Sequence, residues 1–141
     1  MSFIQDKDRP KIQQRLKEIH GPVKIINFTQ ELECQYCRET RTLMEELAGL
    51  ADNLSCQVYN FQLDKEIAAA YKIDKIPATV VEGDRDFGVR YYGIPAGYEF
   101  ASLLDTIIGV SRADSGLGED ARQKLKKLDR PVHIQVYVTP T

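Results

Sequence analysis

A chain of 141 residues, 43% hydrophobic and 28% charged, can bury the core of one domain with room for a small appendage. Its formal net charge of −2 offers no basic face to nucleic acid. No apolar run approaches the roughly 18 residues of a membrane span, and the polar opening 1–9 has no signal-peptide core, so a cytoplasmic location is expected.

The first predicted helix covers 9–20. Pro10 suits a first turn, and Ile12, Leu16 and Ile19 fall on one stripe. Gly21 can close it in a left-handed conformation, and Pro22 stops it. Residues 23–28, Val-Lys-Ile-Ile-Asn-Phe, read as a strand buried on both faces. A loop over 29–33 leads to Cys34-Gln35-Tyr36-Cys37 and a helix expected from residue 34 or 35 to 49 or 50, with Leu43, Met44, Leu47 and Leu50 inward.

A strand over 56–63 and an Ala-rich helix over 65–71 follow, an order that favours parallel pairing of the two strands. Pro77 opens a β-branched strand over 75–81, a place where proline is tolerated. Turn residues 83–86 join it to a strand over 87–92 as an antiparallel hairpin. The last helix of the unit spans 98–108, with Gly109 as its cap.

Residues 111–118 read as a linker. Beyond them the chain repeats its opening. Ala121, Leu125 and Leu128, then Pro131, Val132 and Ile134, each stand 109 positions after Ile12, Leu16, Ile19, Pro22, Val23 and Ile25. A helix and a strand over 132–138 are expected there. The organisation is thus a unit over 1–110, a linker over 111–118, and the first helix and strand of an incomplete second unit over 119–141.

Three cysteines make a poor disulfide framework, whereas a close pair between strand and helix suits either redox chemistry or metal. Zinc would need two more ligands, and Cys56, His20 and His133 form no second close pair, so neither metal nor cofactor is expected. Cys56, among strand residues, reads as a small buried hydrophobe.

The order of elements around Cys34-Gln35-Tyr36-Cys37 and Ile76-Pro77-Ala78-Thr79 resembles the thioredoxin fold, an α/β fold with a central mixed four-stranded sheet flanked by helices. Those two motifs, with Arg90-Tyr91-Tyr92-Gly93-Ile94-Pro95 and the segment 133–141, are more narrowly similar to the N-terminal half of the protein disulfide oxidoreductases. These are glutaredoxin-like proteins, mainly of thermophiles, with two thioredoxin-like units in tandem. The second Cys-x-x-Cys of that family is not present in this sequence.

The resemblance implies thiol–disulfide exchange with protein substrates. Cys34, at a helix N-terminus that favours its thiolate, would attack, and Cys37 would resolve the mixed disulfide. It implies a cis Ile76–Pro77 bond facing the thiols, with the Ile76 main chain free to pair with an extended substrate. Tyr36 either contacts substrate or only covers the motif. Arg38 and Arg41 add positive potential that Glu31, Glu33 and Glu39 oppose.

Asn27 and Phe28 occupy the region where thioredoxins carry a buried Asp, and neither is an acid, which leans toward the glutaredoxin-like branch. A flavin-dependent, pyridine-nucleotide-linked reductase is the implied recycling partner, and the strand over 132–138 is a candidate for self-association. The competing reading is a redox-silent binding or scaffold module.

Overall fold

The computed structural model describes residues 2–139, so Met1, Pro140 and Thr141 of the two expected units lie outside the described residues. Helix α1 (Arg9–Leu16) precedes strand β1 (Val23–Thr29), helix α2 (Cys37–Ala48), strand β2 (Leu54–Asn60), helix α3 (Lys65–Ala70), strands β3 (Ala78–Glu82) and β4 (Asp86–Tyr92), and helices α4 (Tyr98–Arg112) and α5 (Glu119–Lys126). The sheet runs β2-β1-β3-β4. β1 is parallel to β2 and antiparallel to β3, and β3 and β4 form the antiparallel hairpin.

Alternation along β1 divides the core. Val23 and Ile25 face a cluster built with Ile12 and Leu16 of α1, Leu43, Met44 and Leu47 of α2, and Leu103 and Ile107 of α4. Ile26 and Phe28 face the other way, onto Ala68 of α3 with Val80 and Ala78. One layer of three helices and one of a single short helix therefore cover the sheet. Each fully buried Leu, Ile or Phe side chain contributes about 1.5–3 kcal/mol, so most of the stability resides in these two layers.

Several boundaries differ from the sequence reading for local reasons. α1 stops at Leu16, and Glu18 and Ile19 continue as a tighter turn on the carbonyls of Arg15 and Leu16. Ile19 is buried all the same, and Gly21 takes the left-handed φ of 82°. β2 ends at Asn60 because its side-chain Oδ1 accepts from the amides of Gln62 and Leu63, turning the chain. β3 begins only at Ala78, after the cis Ile76–Pro77 bond.

α4 outruns its expected end by four residues, from 108 to 112, and closes with Ala113 in the left-handed region. Gly109 lies inside it. The amide of Asp114 folds back onto the Gly109 carbonyl at 3.0 Å, and a Cβ on Gly109 would sit 3.1 Å from the Asp114 carbonyl oxygen. Gly83 has a similar constraint, since a Cβ there would come within 2.9 Å of the Val110 carbonyl oxygen.

The repeat is only half realised. α5 forms but buries no residue, and Leu125 and Leu128 are exposed where Leu16 and Ile19 are buried. The expected strand over 132–138 is absent: residues 131–139 are neither helix nor strand, and Val132, Ile134, Val136 and Val138 are exposed. A strand is defined by its partner, and neither edge of the sheet, β2 or β4, takes this segment up.

Candidate functional site

β1 delivers the chain to the site. After Thr29 the loop 30–36 turns through Glu33, held at φ 56°, with the Gln30 side chain donating to the Leu32 carbonyl at 2.6 Å. Cys34 and Cys37 are joined as a disulfide, with their Cα atoms 5.5 Å apart. Their environments differ. Cys34 is partly exposed, whereas Cys37 is only 1% exposed.

The helix start is later than the sequence suggests. Cys37 is the first residue of α2 and Tyr36 its cap residue, so Cys34 lies in the preceding turn rather than in the helix. The Tyr36 carbonyl anchors that first turn by accepting from both the amide and the hydroxyl of Thr40, at 3.0 and 2.7 Å. The turn Gln35-Tyr36 thus presents the first sulfur outward while the helix buries the second.

The register of the sheet brings the second motif to the same place. Phe28 pairs with Ala78 near the C-terminal end of β1 and the start of β3, so the cis Ile76–Pro77 bond stands at the sheet end from which the loop to Cys34 departs. Pro77 is buried, and its carbonyl accepts from Gly93 at 2.9 Å. Among the described residues no backbone hydrogen bond engages Ile76, which is half-buried against the α3 side of the core. Tyr36 is 47% exposed, with its hydroxyl accepting from Gln35 at 3.2 Å. Cys34, Tyr36, Cys37, Ile76 and Pro77 therefore share one end of the sheet.

The charged candidates separate. Arg41 is paired with Glu45 one turn along α2 at 2.9 Å, so it is committed away from the sulfurs. Arg38 is exposed, as are Glu31 and Glu33. Cys56 is half-buried on β2, and burial followed by the nearby Glu45 carboxylate pushes its thiol up to about 11, which leaves it protonated and inert at neutral pH. Among the described residues no group of three or more His, Cys, Asp or Glu side chains is arranged to hold a metal ion.

Sequence reading passed over Thr29, Thr40 and Thr79, which with Asn27 are the buried polar side chains among the described residues. For Asn27, Thr29 and Thr79 the signal was present as polar residues within or ending apolar runs, Ile-Ile-Asn-Phe-Thr and Pro-Ala-Thr-Val-Val, whereas Thr40 stands among charged residues and gave none.

A family model described as a thioredoxin domain matches residues 23–105. Among curated proteins, the chain is 23% identical over 122 residues to a component of the alkyl hydroperoxide reductase of Pseudomonas aeruginosa, covering 86% of this chain and 21% of that one. It is 24% identical over 104 residues to an NADH dehydrogenase of Bacillus subtilis, covering 74% and 18%. The chain thus spans about a fifth of the length of these curated relatives. Among solved structures, a protein disulfide oxidoreductase from Aeropyrum pernix superposes with a TM-score of 0.78 at 26% identity, over 88% of this chain and 55% of that one.

Proposed function

This chain belongs to the thioredoxin domain family, and on that premise we propose that it exchanges disulfides with protein substrates through Cys34 and Cys37. One observation carries the reading: two sulfurs in a single disulfide, one partly exposed and one buried, at the end of a strand and the start of a helix. Cys34, the partly exposed residue of the two, is the one a substrate can reach. The reduced pair works by attack of the Cys34 thiolate on a substrate disulfide, forming a mixed disulfide and releasing one substrate sulfur. Cys37 then attacks Cys34, regenerates the internal disulfide and releases the second substrate thiol.

With Arg41 engaged by Glu45, the N-terminal end of α2, which starts just after Cys34, is the stabiliser the Cys34 thiolate would draw on. An extended substrate segment pairs with the main chain of Ile76 beside Pro77, and Tyr36 lines the approach; the unengaged backbone of Ile76 supports this docking. A flavin-dependent, pyridine-nucleotide-linked reductase returns the pair to the dithiol form; the name of one curated relative, an NADH dehydrogenase, supports the pyridine-nucleotide link alone. The protein works in the cytoplasm, where a reductase keeps such pairs cycling; no helix among the described residues is long and apolar enough to cross a membrane. The exposed apolar side chains over 132–138 favour self-association by strand addition to a free sheet edge.

Insulin reduction by dithiothreitol, followed by turbidity, tests the central reading. The protein accelerates precipitation and Cys34→Ser abolishes the acceleration. An unchanged rate in Cys34→Ser refutes it.

A further inference from the structure

The loop between α3 and β3 carries Ile76, and its middle has no main-chain bonds of its own. Among the described residues no backbone hydrogen bond engages 74–76. The loop is therefore placed by what holds its two ends. At the far end the Pro77 carbonyl accepts from the Gly93 amide at 2.9 Å. At the near end stands the carbonyl of Tyr71, the cap residue where α3 runs out of partners for its last carbonyls.

Arg90 supplies that partner from β4. Its register partner is Val80, so its side chain lies on the α3 side of the sheet. Nε and one terminal nitrogen both donate to the Tyr71 carbonyl, at 3.1 and 3.0 Å. The two terminal nitrogens meet the Asp86 carboxylate at 2.8 and 2.6 Å, and one also meets the Val89 carbonyl at 3.0 Å. All five N–H groups of the guanidinium are thus engaged. The side chain is only 16% exposed, and its central carbon lies 5.7 Å from the centre of the Tyr71 ring. Tyr92 adds a further hold, with Lys75 Nζ 5.0 Å from the centre of its ring. The stretch 90–93 therefore grips the loop at its start, middle and end.

We propose that Arg90 is a positioning residue for peptide substrates: by holding the Tyr71 carbonyl it fixes where the loop begins, and so where the Ile76 main chain meets an extended substrate. This rests on the docking at Ile76 proposed above. Strand pairing needs the N–H and C=O of Ile76 within hydrogen-bond distance and direction of the substrate backbone. A misplacement of about 1 Å at such a contact can cost on the order of 100-fold. The donors of Arg90 are all engaged away from the sulfurs, so it takes no part in the bond exchange itself.

A lysine separates this role from general stabilisation. The pair with Asp86 ties β4 to itself and needs only a cation. The fork onto Tyr71 needs a planar guanidinium, because a single ammonium cannot reproduce its fixed set of donors toward carboxylate and carbonyl together.

The test mixes reduced protein with two disulfides and follows Cys34–Cys37 bond formation by acid quench, thiol trapping and mass. One is a peptide disulfide, and the other is hydroxyethyl disulfide, which has no peptide backbone. In Arg90→Lys the half-saturating peptide concentration rises about tenfold, while the limiting rate and the rate on the small disulfide stay within about twofold. An unchanged half-saturating concentration, or an equal loss on both disulfides, overturns the proposal. If Arg90→Lys fails to fold, the wild type decides. A copy of the peptide with serine in place of its cysteines docks without reacting, and at saturation it shifts the Arg90 Nε–H resonance together with the Ile76 amide. An unmoved Arg90 resonance overturns the proposal. The same experiment keeps the two readings apart. A wild type that reduces neither disulfide sinks the exchange reading and the positioning role with it. One that reduces the peptide no better than Arg90→Lys does sinks the positioning role alone.

Discussion

Cys34 and Cys37 are bonded to each other, yet Cys34 is partly exposed and Cys37 is buried in the core. The break falls between the Gln35-Tyr36 turn and the first residue of α2, and it assigns different work to two chemically identical groups.

Alkylation reads that difference directly. After reduction, iodoacetamide at neutral pH modifies Cys34 at least about tenfold faster than Cys37 or Cys56, because reaction follows thiolate fraction and access. Cys37 lacks access and Cys56, pushed up to about 11, lacks thiolate. Peptide mass mapping over time checks the order. Equal rates at Cys34 and Cys37 would contradict the division of roles.

Phe28 packs in the α3-side core. It is fully buried, and its ring lies 5.7 Å from that of Tyr59 and 5.9 Å from that of Tyr71. Phe28→Ala costs about 3–5 kcal/mol in urea unfolding, the range for removing a buried ring. A loss below about 1 kcal/mol would mean that the site collapses around the gap.

Acid weakens the fold at two identifiable places. The Asp86 carboxyl is held below its ordinary value mainly by the Arg90 guanidinium, which meets both of its oxygens at 2.8 and 2.6 Å. Glu46 is also lowered: burial pushes it up, but bonds from the Ile4 amide, the Ser2 hydroxyl and the Phe3 amide together outweigh that. A depressed carboxyl contributes stability above its unfolded value and loses it as pH falls through the lower folded value. The loss therefore begins near pH 4 and continues below it. Asp86→Asn and Glu46→Gln each flatten the acid limb of a stability–pH curve, and an unchanged limb in both would refute the assignment.

Alkali acts through Tyr71. Burial, then its hydrogen bond to Glu82 at 2.6 Å, pushes the phenol up to about 12. A raised folded value stabilises the protonated phenol, so this contribution is intact below about pH 10 and lost between there and about pH 12. Ultraviolet titration should show one tyrosine ionising last, and Tyr71→Phe should remove that step.

The segment after α5 should contribute little to the fold. Residues 129–139 are exposed throughout, so ending the chain after Leu128 leaves the unfolding free energy from urea titration unchanged within about 0.5 kcal/mol. The same deletion abolishes concentration-dependent dimers in sedimentation if that segment adds a strand to another copy. Dimers that persist would place self-association elsewhere.

Much of the fold was legible in the chain because its signals are local. The period of Leu43, Met44 and Leu47, the β-branched run after Pro77 and the turn residues 83–86 each specify their own element. The thiol pair was legible for the same reason, since three residues of spacing bring two sulfurs into bonding range whatever lies around them.

The repeat shows where local signals end. Leu16 and Leu125 hold equivalent places in similar helical patterns, but one is buried and the other is half exposed. Periodicity proposes an apolar face, and only a neighbouring surface can bury it. For the same reason the alternation over 132–138 describes a strand that finds no partner. The sequence by itself determined which residues pair as thiols, the order of helices and strands from α1 to α4, and that a proline stands just before β3. Tertiary structure alone decided that Cys37 is buried while Cys34 is only partly so, that Arg41 is spent on Glu45, and that Asn27 is fully buried with one side-chain oxygen unpaired among the described residues. Those outcomes depend on contacts between residues far apart in the chain, where burial and hydrogen-bond supply are set by the sum of neighbours and not by any one stretch.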